Sequence, residues 1–552
     1  MSGGLEADHR VGRVNAPWST IPQLVDDAAI RFGDREAFVD EDRRWTFTQY
    51  RDRIHAAARA FMAHDVQPGD RIAVWAPNLA EWAVAALGAH CVGAILVPVN
   101  TRFKGREAVD LLARSSARIL FTVTDFLHTD YVALLNEVVE GSAASADPLP
   151  DLDEVVVLRG DVPECSTAWD DFLATGDSVD DALRAERSAA VTGDDLCHIM
   201  FTSGTTGAPK GAMLRHEAIC RAFLSWSDVI GLEEGDRYLV VNPFFHAFGL
   251  NSGILACLMK GVTLVPHLVF DVPSVMRRVA EERITMLPGP PAIYQTILSH
   301  PDAEALDLSS LRLAVTGAAA IPVQMIHDMR ERLGFEKVVT GYGLTEASGI
   351  ATMCRHDDDP VTIAGTSGRA IDDVEVRIVD VDGAECPPNT PGEVVVRGYN
   401  VMVGYLDSPE QTAEAIDAEG WLHTGDIGVM DAHGYLDITD RVKDMFINGG
   451  FNVYPAEVEH LMLDHPAIAR VAVVGVPDER MGEVGAAFVV AAPRHSDDGE
   501  LDPDQIVSWC RDAMANYKVP RLVVVVDDLP INASGKVLKF ELREQATTLR
   551  DH

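Results

Sequence analysis

The sequence is poor in basic residues. It has 46 lysines and arginines against 85 aspartates and glutamates, which gives a formal net charge of -39. Such a field repels nucleic acid and anionic membrane surfaces, so nucleic acid is not expected as a partner. Surface solubility explains most of the acidity. A small anionic ligand therefore has to be bound by local basic side chains or backbone N–H groups.

Long apolar runs and paired cysteines are also missing. Nowhere do about 18 uncharged apolar residues follow one another, and the N-terminal stretch has no apolar core of a signal peptide. The eight cysteines lie far apart without a C-x-x-C pair, which is typical neither of a zinc site nor of a disulfide framework. We therefore expect a cytoplasmic protein without a membrane span.

Apolar residues suited to buried strands are abundant. Hydrophobic residues make up 47% of the 552 positions, enough for several packed units. Runs apolar on both faces, separated by helical stretches such as 275–283, indicate parallel sheets covered on both sides. They span residues 71–78, 94–100, 117–123, 196–202, 237–245, 311–317 and 337–343. The pattern predicts an α/β fold with two doubly wound subdomains.

The pattern changes twice towards the C-terminus. Closely spaced strands at 374–380, 392–398 and 435–440, with Pro and Gly turns, predict a small antiparallel β-barrel. A Gly-rich turn, a helix from residue 456 and a strand at 469–477 then predict a small α+β domain. We thus expect an N-terminal domain over 1–440 and a C-terminal domain over 441–552.

The segment Thr-Ser-Gly-Thr-Thr-Gly-Ala-Pro-Lys, residues 202–210, follows directly on an apolar strand. Hydroxyls and flexible glycines at such a place can surround phosphate oxygens with O–H and N–H donors, and Lys210 adds a positive charge. The spacing is not that of a Walker A loop. A Ser/Thr/Gly-rich surface turn is the alternative.

A second group of candidates lies in Thr-Gly-Tyr-Gly-Leu-Thr-Glu, residues 340–346. Tyr342 can stack on a purine, and Thr345 can donate a hydrogen bond to a phosphate. Glu346 can hold Mg²⁺, which prefers carboxylate, phosphate and water oxygens. The alternative for Glu346 is a carboxylate that starts a helix.

Three later motifs complete the list of candidates. Asp426 and Arg441 can bind the two hydroxyls of a ribose, although each can equally be a turn or surface ion pair. The glycines of 449–451 allow close backbone approach, as in the wall of a narrow channel. Lys536, in a flexible Asn-Ala-Ser-Gly-Lys loop, can reach a phosphate or carboxylate oxygen, although terminal lysines are usually only solvated.

Together and in this order, these motifs resemble those of the adenylate-forming superfamily, which contains acyl-CoA synthetases, peptide-synthetase adenylation domains and firefly-type luciferases. The resemblance spans about residues 20–545. It implies an AMP-forming acid-thiol ligase, which joins a carboxylic acid to coenzyme A through an acyl-adenylate. ATP and coenzyme A are then co-substrates, and Mg²⁺ is the cofactor. The order of the motifs leaves open whether the protein is a homodimer.

The resemblance also implies roles for single residues. Thr345, Glu346 (the Mg²⁺ ligand), Lys210, His246 and Lys536 form the catalytic set, in which Lys536 bridges the carboxylate and the α-phosphate. Lys443 is the hinge of a mobile C-terminal domain, and Gly449, Gly450 and Phe451 bind the pantetheine of coenzyme A. The nucleotide contacts fall on Thr202, Ser203, Gly204, Thr205, Thr206, Gly207, Gly317, Ala318, Ala319, Gly341, Tyr342, Gly343, Asp426 and Arg441.

The segment 243–255 contains no Asp or Glu, which argues against an α-amino acid substrate. His246 resembles the family's aromatic gate beside the carboxylate, with a backbone-bonded core histidine as the alternative. The runs 242–267 and 287–298 are similar to bacterial CoA ligases of steroid catabolism, which activate the bicyclic propanoate left after removal of rings A and B. The acyl pocket is then formed by Phe245, His246, Phe248, Leu250, Gly289 and Tyr294.

Two alternatives stay open. Medium-chain fatty acids and aryl carboxylates compete as substrates, because enzymes for all these acids share the nucleotide motifs. A non-catalytic nucleotide-binding protein of the same fold is the other. The presence of Lys210, Glu346, Asp426 and Lys536 argues against it.

Overall fold

The computed structural model describes residues 16–550 with short gaps. The gaps are 142–147, 203–208, 318–320, 442–443, 445, 449–450, 454, 479–480, 493–500, 515 and 532–536.

The strands follow one another along the described chain as β1 (Glu36–Asp40), β2 (Arg43–Thr46), β3 (Arg71–Trp75), β4 (Ile95–Pro98), β5 (Ala117–Val123), β6 (Glu154–Arg159), β7 (Thr167–Ala168), β8 (Leu196–Thr202), β9 (Lys210–Arg215), β10 (Arg237–Val240), β11 (Thr263–Pro266), β12 (Leu313–Thr316), β13 (Lys337–Tyr342), β14 (Thr352–Met353), β15 (Arg369–Ala370), β16 (Val374–Val379), β17 (Gly392–Gly398), β18 (Gly404–Tyr405), β19 (Leu422–Met430), β20 (Leu436–Arg441), β21 (Phe446–Asn448), β22 (Phe451–Val453), β23 (Ile468–Asp478), β24 (Gly482–Ala491) and β25 (Leu522–Val525).

The α-helices are α1 (Ile21–Phe32), α2 (Phe47–Ala63), α3 (Ala80–Cys91), α4 (Gly105–Ser115), α5 (Tyr131–Gly141), α6 (Trp169–Thr175), α7 (Asp181–Ala190), α8 (His216–Ile230), α9 (Ala256–Lys260), α10 (Val272–Glu282), α11 (Pro291–Ser299), α12 (Val323–Arg332), α13 (Pro360–Gly365), α14 (Pro409–Ala415), α15 (Pro455–Leu463), α16 (Pro503–Ala513) and α17 (Lys539–Arg550). A π-helix spans Phe248–Leu255, and a 3₁₀ turn spans Thr345–Ala347. No helix in this part of the chain has the length and apolarity needed to cross a bilayer.

The first sheet has eight strands in the order β18-β9-β8-β4-β3-β5-β6-β7. Its centre is parallel, while β8 and β9 form an antiparallel hairpin and β18 adds to the free edge of β9. The central strand β3 is buried almost throughout because its residues are apolar on both faces. Helix α3 is buried on all sides, so it lies inside the packed layers rather than on the surface.

The second sheet combines two four-stranded groups, β10-β11-β1-β2 and β12-β13-β14-β15. Met286 joins them, since it bridges Tyr238 on one side and Leu313 on the other. The pairs β10–β11 and β12–β13 are parallel, and β14 and β15 pair antiparallel at the edge. The carboxyl ends of β12 and β13 therefore lie next to each other.

The C-terminal half continues with two smaller sheets. The residues predicted as a small barrel form a four-stranded antiparallel sheet, β16-β17-β19-β20, and β19 is a strand that the sequence analysis did not predict. The last sheet has the order β22-β21-β24-β23, with β25 parallel to β24. Alternate residues of β24 face different apolar clusters, so helices cover this sheet on both faces.

Candidate active site

The β8–β9 hairpin places Thr202 and Lys210 side by side. They are register partners at the loop end of the hairpin, and the Thr202 Oγ1 hydroxyl donates to the Lys210 carbonyl oxygen at 3.4 Å. The six residues 203–208 between them lie outside the described structure. The hairpin therefore fixes both ends of the predicted phosphate-binding segment.

Tyr405 connects Lys210 to Glu346. It lies on β18, which pairs with β9 through Tyr405 and Ala212. The Lys210 Nζ lies 4.9 Å from the centre of the Tyr405 ring, and the Tyr405 hydroxyl donates to Glu346 Oε1 at 2.9 Å. The structure thus brings together two residues that are far apart in sequence, and the residue that joins them was not predicted.

Burial, and then the adjacent Glu346 carboxylate, raise the pKa of Tyr405. The phenol therefore stays protonated at neutral pH and can act only as the donor in its bond to Glu346. That bond uses Oε1 and leaves the Oε2 atom of Glu346 for a cation. The described residues contain no group of three or more His, Cys, Asp or Glu side chains that could hold a metal. One carboxylate fits Mg²⁺, which takes its remaining ligands from phosphates and water.

The loop that carries Thr345 and Glu346 is held through its backbone. Asn400 is fully buried, and its Nδ2 donates to the Ile350 carbonyl at 2.8 Å. The backbone N–H of Met402 donates to the Glu346 carbonyl, also at 2.8 Å. A methyl group on Gly343 would lie 2.3 Å from a backbone oxygen of this loop, so only glycine fits there.

Tyr342 and Asp426 meet across the site. The Tyr342 hydroxyl donates to Asp426 Oδ2 at 2.6 Å, and Asp426 is nearly fully buried. Asp426 pairs with Arg441 in the β19–β20 register, although the structure does not describe the Arg441 side chain. Gly317 follows β12 and lies beside Gly341 on β13, since a methyl group on Gly317 would be 3.5 Å from the Gly341 oxygen. The predicted adenine and ribose residues thus converge.

The predicted acyl segment begins at a tight turn after β10. His246 is exposed, and its Nδ1 accepts a hydrogen bond from the Phe248 backbone N–H at 3.2 Å. The segment then continues as the π-helix, a form common at functional sites. Gly349 has a φ of +98°, and a methyl group added to it would lie only 3.3 Å from the Ala247 Cβ atom. The acyl segment is therefore in contact with the loop that carries Glu346.

The other predicted pocket residues are more deeply placed. Phe245 is half-buried, and Leu250 is fully buried. The Phe248 ring lies 6.0 Å from that of Trp226, edge to face. Gly289 is buried and lies three residues after Met286, which joins the two strand groups of the second sheet.

Tyr294 has a clear packing role. It is fully buried, its ring lies 5.8 Å from that of Phe335, and its hydroxyl donates to the Leu287 carbonyl at 2.8 Å. The hydroxyl is therefore hydrogen-bonded inside the core of the second sheet. Only the ring of Tyr294 is left to contact an acyl group.

Several predicted residues fall outside the described structure. They are Ser203, Gly204, Thr205, Thr206, Gly207, Ala318, Ala319, Lys443, Gly449, Gly450 and Lys536, and for Arg441 and Phe451 only the backbone is described. Their roles stay predictions.

The two α/β sheets, together with the β8–β9 hairpin and the Tyr342–Asp426 pair, have the arrangement of the adenylate-forming enzymes. The chain belongs to the AMP-binding enzyme family, whose model matches residues 25–406, and the model of the AMP-binding enzyme C-terminal domain matches residues 457–536. The predicted family and fold class are thereby confirmed.

Among curated relatives, the chain is 50% identical to a 3-[(3aS,4S,7aS)-7a-methyl-1,5-dioxo-octahydro-1H-inden-4-yl]propanoyl:CoA ligase of Rhodococcus jostii, over 96% of this chain and 99% of that protein. It is 49% identical to the ligase of the same name from Mycobacterium tuberculosis, over 95% and 98%. A crystal structure of an anthranilate CoA ligase in complex with anthranoyl-AMP superimposes with a TM-score of 0.84 at 27% identity, covering 97% of this chain and 98% of that one.

Proposed function

We propose that this protein joins a carboxylic acid to coenzyme A with ATP, forming an acyl-adenylate first and the thioester second. The observation that carries the proposal is the arrangement of Lys210, Tyr405 and Glu346 beside the hydroxyl-rich hairpin. It provides a cation and a metal-binding carboxylate where a triphosphate would lie, and the Tyr342–Asp426 pair provides a place for the nucleoside.

In the first half-reaction, the carboxylate oxygen attacks the α-phosphorus of ATP, and the bond to pyrophosphate breaks. Lys210 and the 202–207 hydroxyls and N–H groups hold the departing phosphates, and Lys536 bridges the two reacting groups. When bound to Glu346, Mg²⁺ neutralises charge on the phosphate oxygens. Position and charge supply most of the catalysis in such a step.

In the second half-reaction, the coenzyme A thiolate attacks the activated acyl carbon, and AMP leaves. We propose that the C-terminal domain, 441–552, turns about Lys443 against the N-terminal domain, 1–440, to exchange Lys536 for Gly449, Gly450 and Phe451. Such a motion lets one fold serve two reactions. The eight free cysteines fit a reducing cytoplasm as the place of work.

For the acid, we propose the steroid-derived bicyclic propanoate. The observation that carries this choice is the identity to the Rhodococcus ligase, 50% over 96% of the chain. The aromatic residues Phe244, Phe245 and Phe248 crowd the acyl segment, which suits a rigid ring better than a long flexible chain.

The deciding measurement is kcat/KM for the bicyclic propanoate relative to octanoate, palmitate and an aryl carboxylate, read out as AMP and acyl-CoA. We expect the bicyclic acid to win over palmitate by at least about ten-fold, because hydrophobic pockets discriminate by shape at about 1–3 kcal/mol per group. A higher value for octanoate or palmitate would favour a fatty acid ligase. No carboxylate-dependent release of pyrophosphate with any acid would favour the non-catalytic nucleotide-binding alternative.

A further inference from the structure

Asn251 has a buried side-chain amide that forms no hydrogen bond with any described residue. Its side chain is fully buried, and neither Oδ1 nor Nδ2 has a partner among the described residues. Leaving such groups unbonded costs about 1–3 kcal/mol each, so buried amides nearly always find a partner in the working protein. This makes Asn251 a candidate for contact with a ligand.

The residues around Asn251 do not supply the missing hydrogen bonds. Asn242, nine residues earlier, also carries a buried side-chain oxygen atom without a hydrogen-bond partner among the described residues. The neighbours Leu250, Ile254 and Leu255 are apolar and fully buried, so they offer the Asn251 amide no bond. A carbonyl group brought in by a substrate would supply the missing acceptor.

The position along the π-helix points to the acyl group. Ala247 contacts Gly349 of the loop that carries Glu346, and Asn251 lies four residues further along the π-helix, just under one turn of its i→i+5 pattern and so on nearly the same side. One turn is about 5 Å long. The ring of a propanoate is separated from its carboxyl carbon by two methylenes, a distance of about 4 Å. The distance from Ala247 to Asn251 along the helix is therefore close to the distance from the carboxyl carbon to the ring.

We propose that Asn251 Nδ2 donates a hydrogen bond to a ring carbonyl of the acyl group, which makes Asn251 a residue that sets substrate specificity. The inference rests on the proposed function, and the substrate named for the Rhodococcus ligase carries two ring oxo groups. Oδ1 is then left for a water molecule. An acid of the same shape without the ring oxo group would leave the buried amide unbonded and be disfavoured.

The test compares the dioxo bicyclic propanoate with two analogues, each lacking one of the ring oxo groups, on the full-length enzyme. We expect wild type to lose kcat/KM by about ten-fold or more with one of the two analogues, as the loss of a buried hydrogen bond requires. The Asn251→Leu variant should have lower kcat/KM for the dioxo acid and little preference between it and that analogue. Tyr50→Phe is the control, since its hydroxyl is also buried and unbonded among the described residues but lies on α2. It should keep the wild-type preference.

Each outcome separates the two proposals. If wild type has equal kcat/KM for all three acids, the role of Asn251 is overturned while the bicyclic substrate still holds. This comparison needs no variant. Wild-type selectivity in a folded Asn251→Leu enzyme would overturn the role too. Failure of wild type to activate any of the three acids, with octanoate turned over, would instead overturn the proposed substrate.

Discussion

Among single residues, Tyr405 has the largest effect on how the site is assembled, since it contacts both Lys210 and Glu346. Nothing in the sequence indicates it, because it lies on a two-residue strand between turns and belongs to none of the recognised motifs. Asn400 was missed for the same reason, since its role is to bond the backbone of a distant loop. Lys210, Tyr342, Glu346 and Asp426 could be predicted because their side-chain chemistry fits a nucleotide directly.

Replacing Tyr405 by Phe removes the hydroxyl bonded to Glu346 and keeps the ring under Lys210. We expect the rate of carboxylate-dependent ATP–pyrophosphate exchange to fall by about ten-fold, because a hydrogen bond to a charged group is worth about 1.5–3 kcal/mol. The concentration of Mg²⁺ needed for half-maximal rate should rise, since Glu346 is less well oriented.

Tyr435→Phe is the matched control for this variant. The Tyr435 hydroxyl donates to Asp358 Oδ1 at 2.6 Å, a pair of the same chemistry that involves none of the predicted site residues. It should leave exchange and its Mg²⁺ dependence unchanged. Wild-type exchange in Tyr405→Phe would show that the Tyr405–Glu346 bond is dispensable.

At the level of elements, the long strands were predictable and the short ones were not. Runs such as 117–123 and 196–202 become β5 and β8 at the predicted residues, because apolar side chains on both faces favour a buried strand. The two-residue strands β14, β15 and β18 carry no periodic pattern, and the direction of β9 depends on its hairpin. The π-helix likewise has no distinct sequence pattern.

The loop after β13 gives a prediction for one glycine. Gly343→Ala would place a methyl group 2.3 Å from the Gly349 carbonyl oxygen, so backbone must move and Thr345 and Glu346 move with it. We expect exchange activity to fall by at least ten-fold and the thermal midpoint to drop, as overpacking costs about 1–3 kcal/mol. Steady-state kinetics and a thermal melt measure both.

Gly365→Ala serves as the comparison. A methyl group on Gly365, at the end of α13, would meet no heavy atom of the described residues within 4 Å, and the Gly365 backbone has no positive φ. Its activity and melting temperature should stay close to wild type. Equal behaviour of the two variants would show that the close approach at Gly343 does not constrain the loop.

For the whole molecule, a cluster of three buried histidines predicts acid sensitivity. His90 on α3, His198 on β8 and His216 on α8 are fully buried, and the Nε2 atoms of His90 and His198 lie 3.2 Å apart. Burial lowers the pKa of His90 to about 4 and the pKa values of the other two well below their usual range. The cluster lies where two helices pack on the first sheet, so its protonation opposes that packing.

Because the unfolded chain binds protons at these histidines near pH 6.5 and the folded chain does not, stability should fall as pH drops from about 6.5 towards 4. Each histidine contributes up to about 1.4 kcal/mol per pH unit in that window. Urea melts at several pH values measure the slope. His90→Gln should reduce the slope, and His433→Gln, at an exposed position, should not. Identical slopes in all three proteins would contradict the assignment.

The late position of β18 in the chain bears on biosynthesis. The outer edge of β9 is completed by residues 404–405, almost two hundred residues after the hairpin that it supports. While the ribosome is still making that intervening chain, the edge of β9 has open N–H and C=O groups that another nascent chain can pair with. Translation that stalls before residue 405 should therefore yield a fragment that aggregates through this open edge.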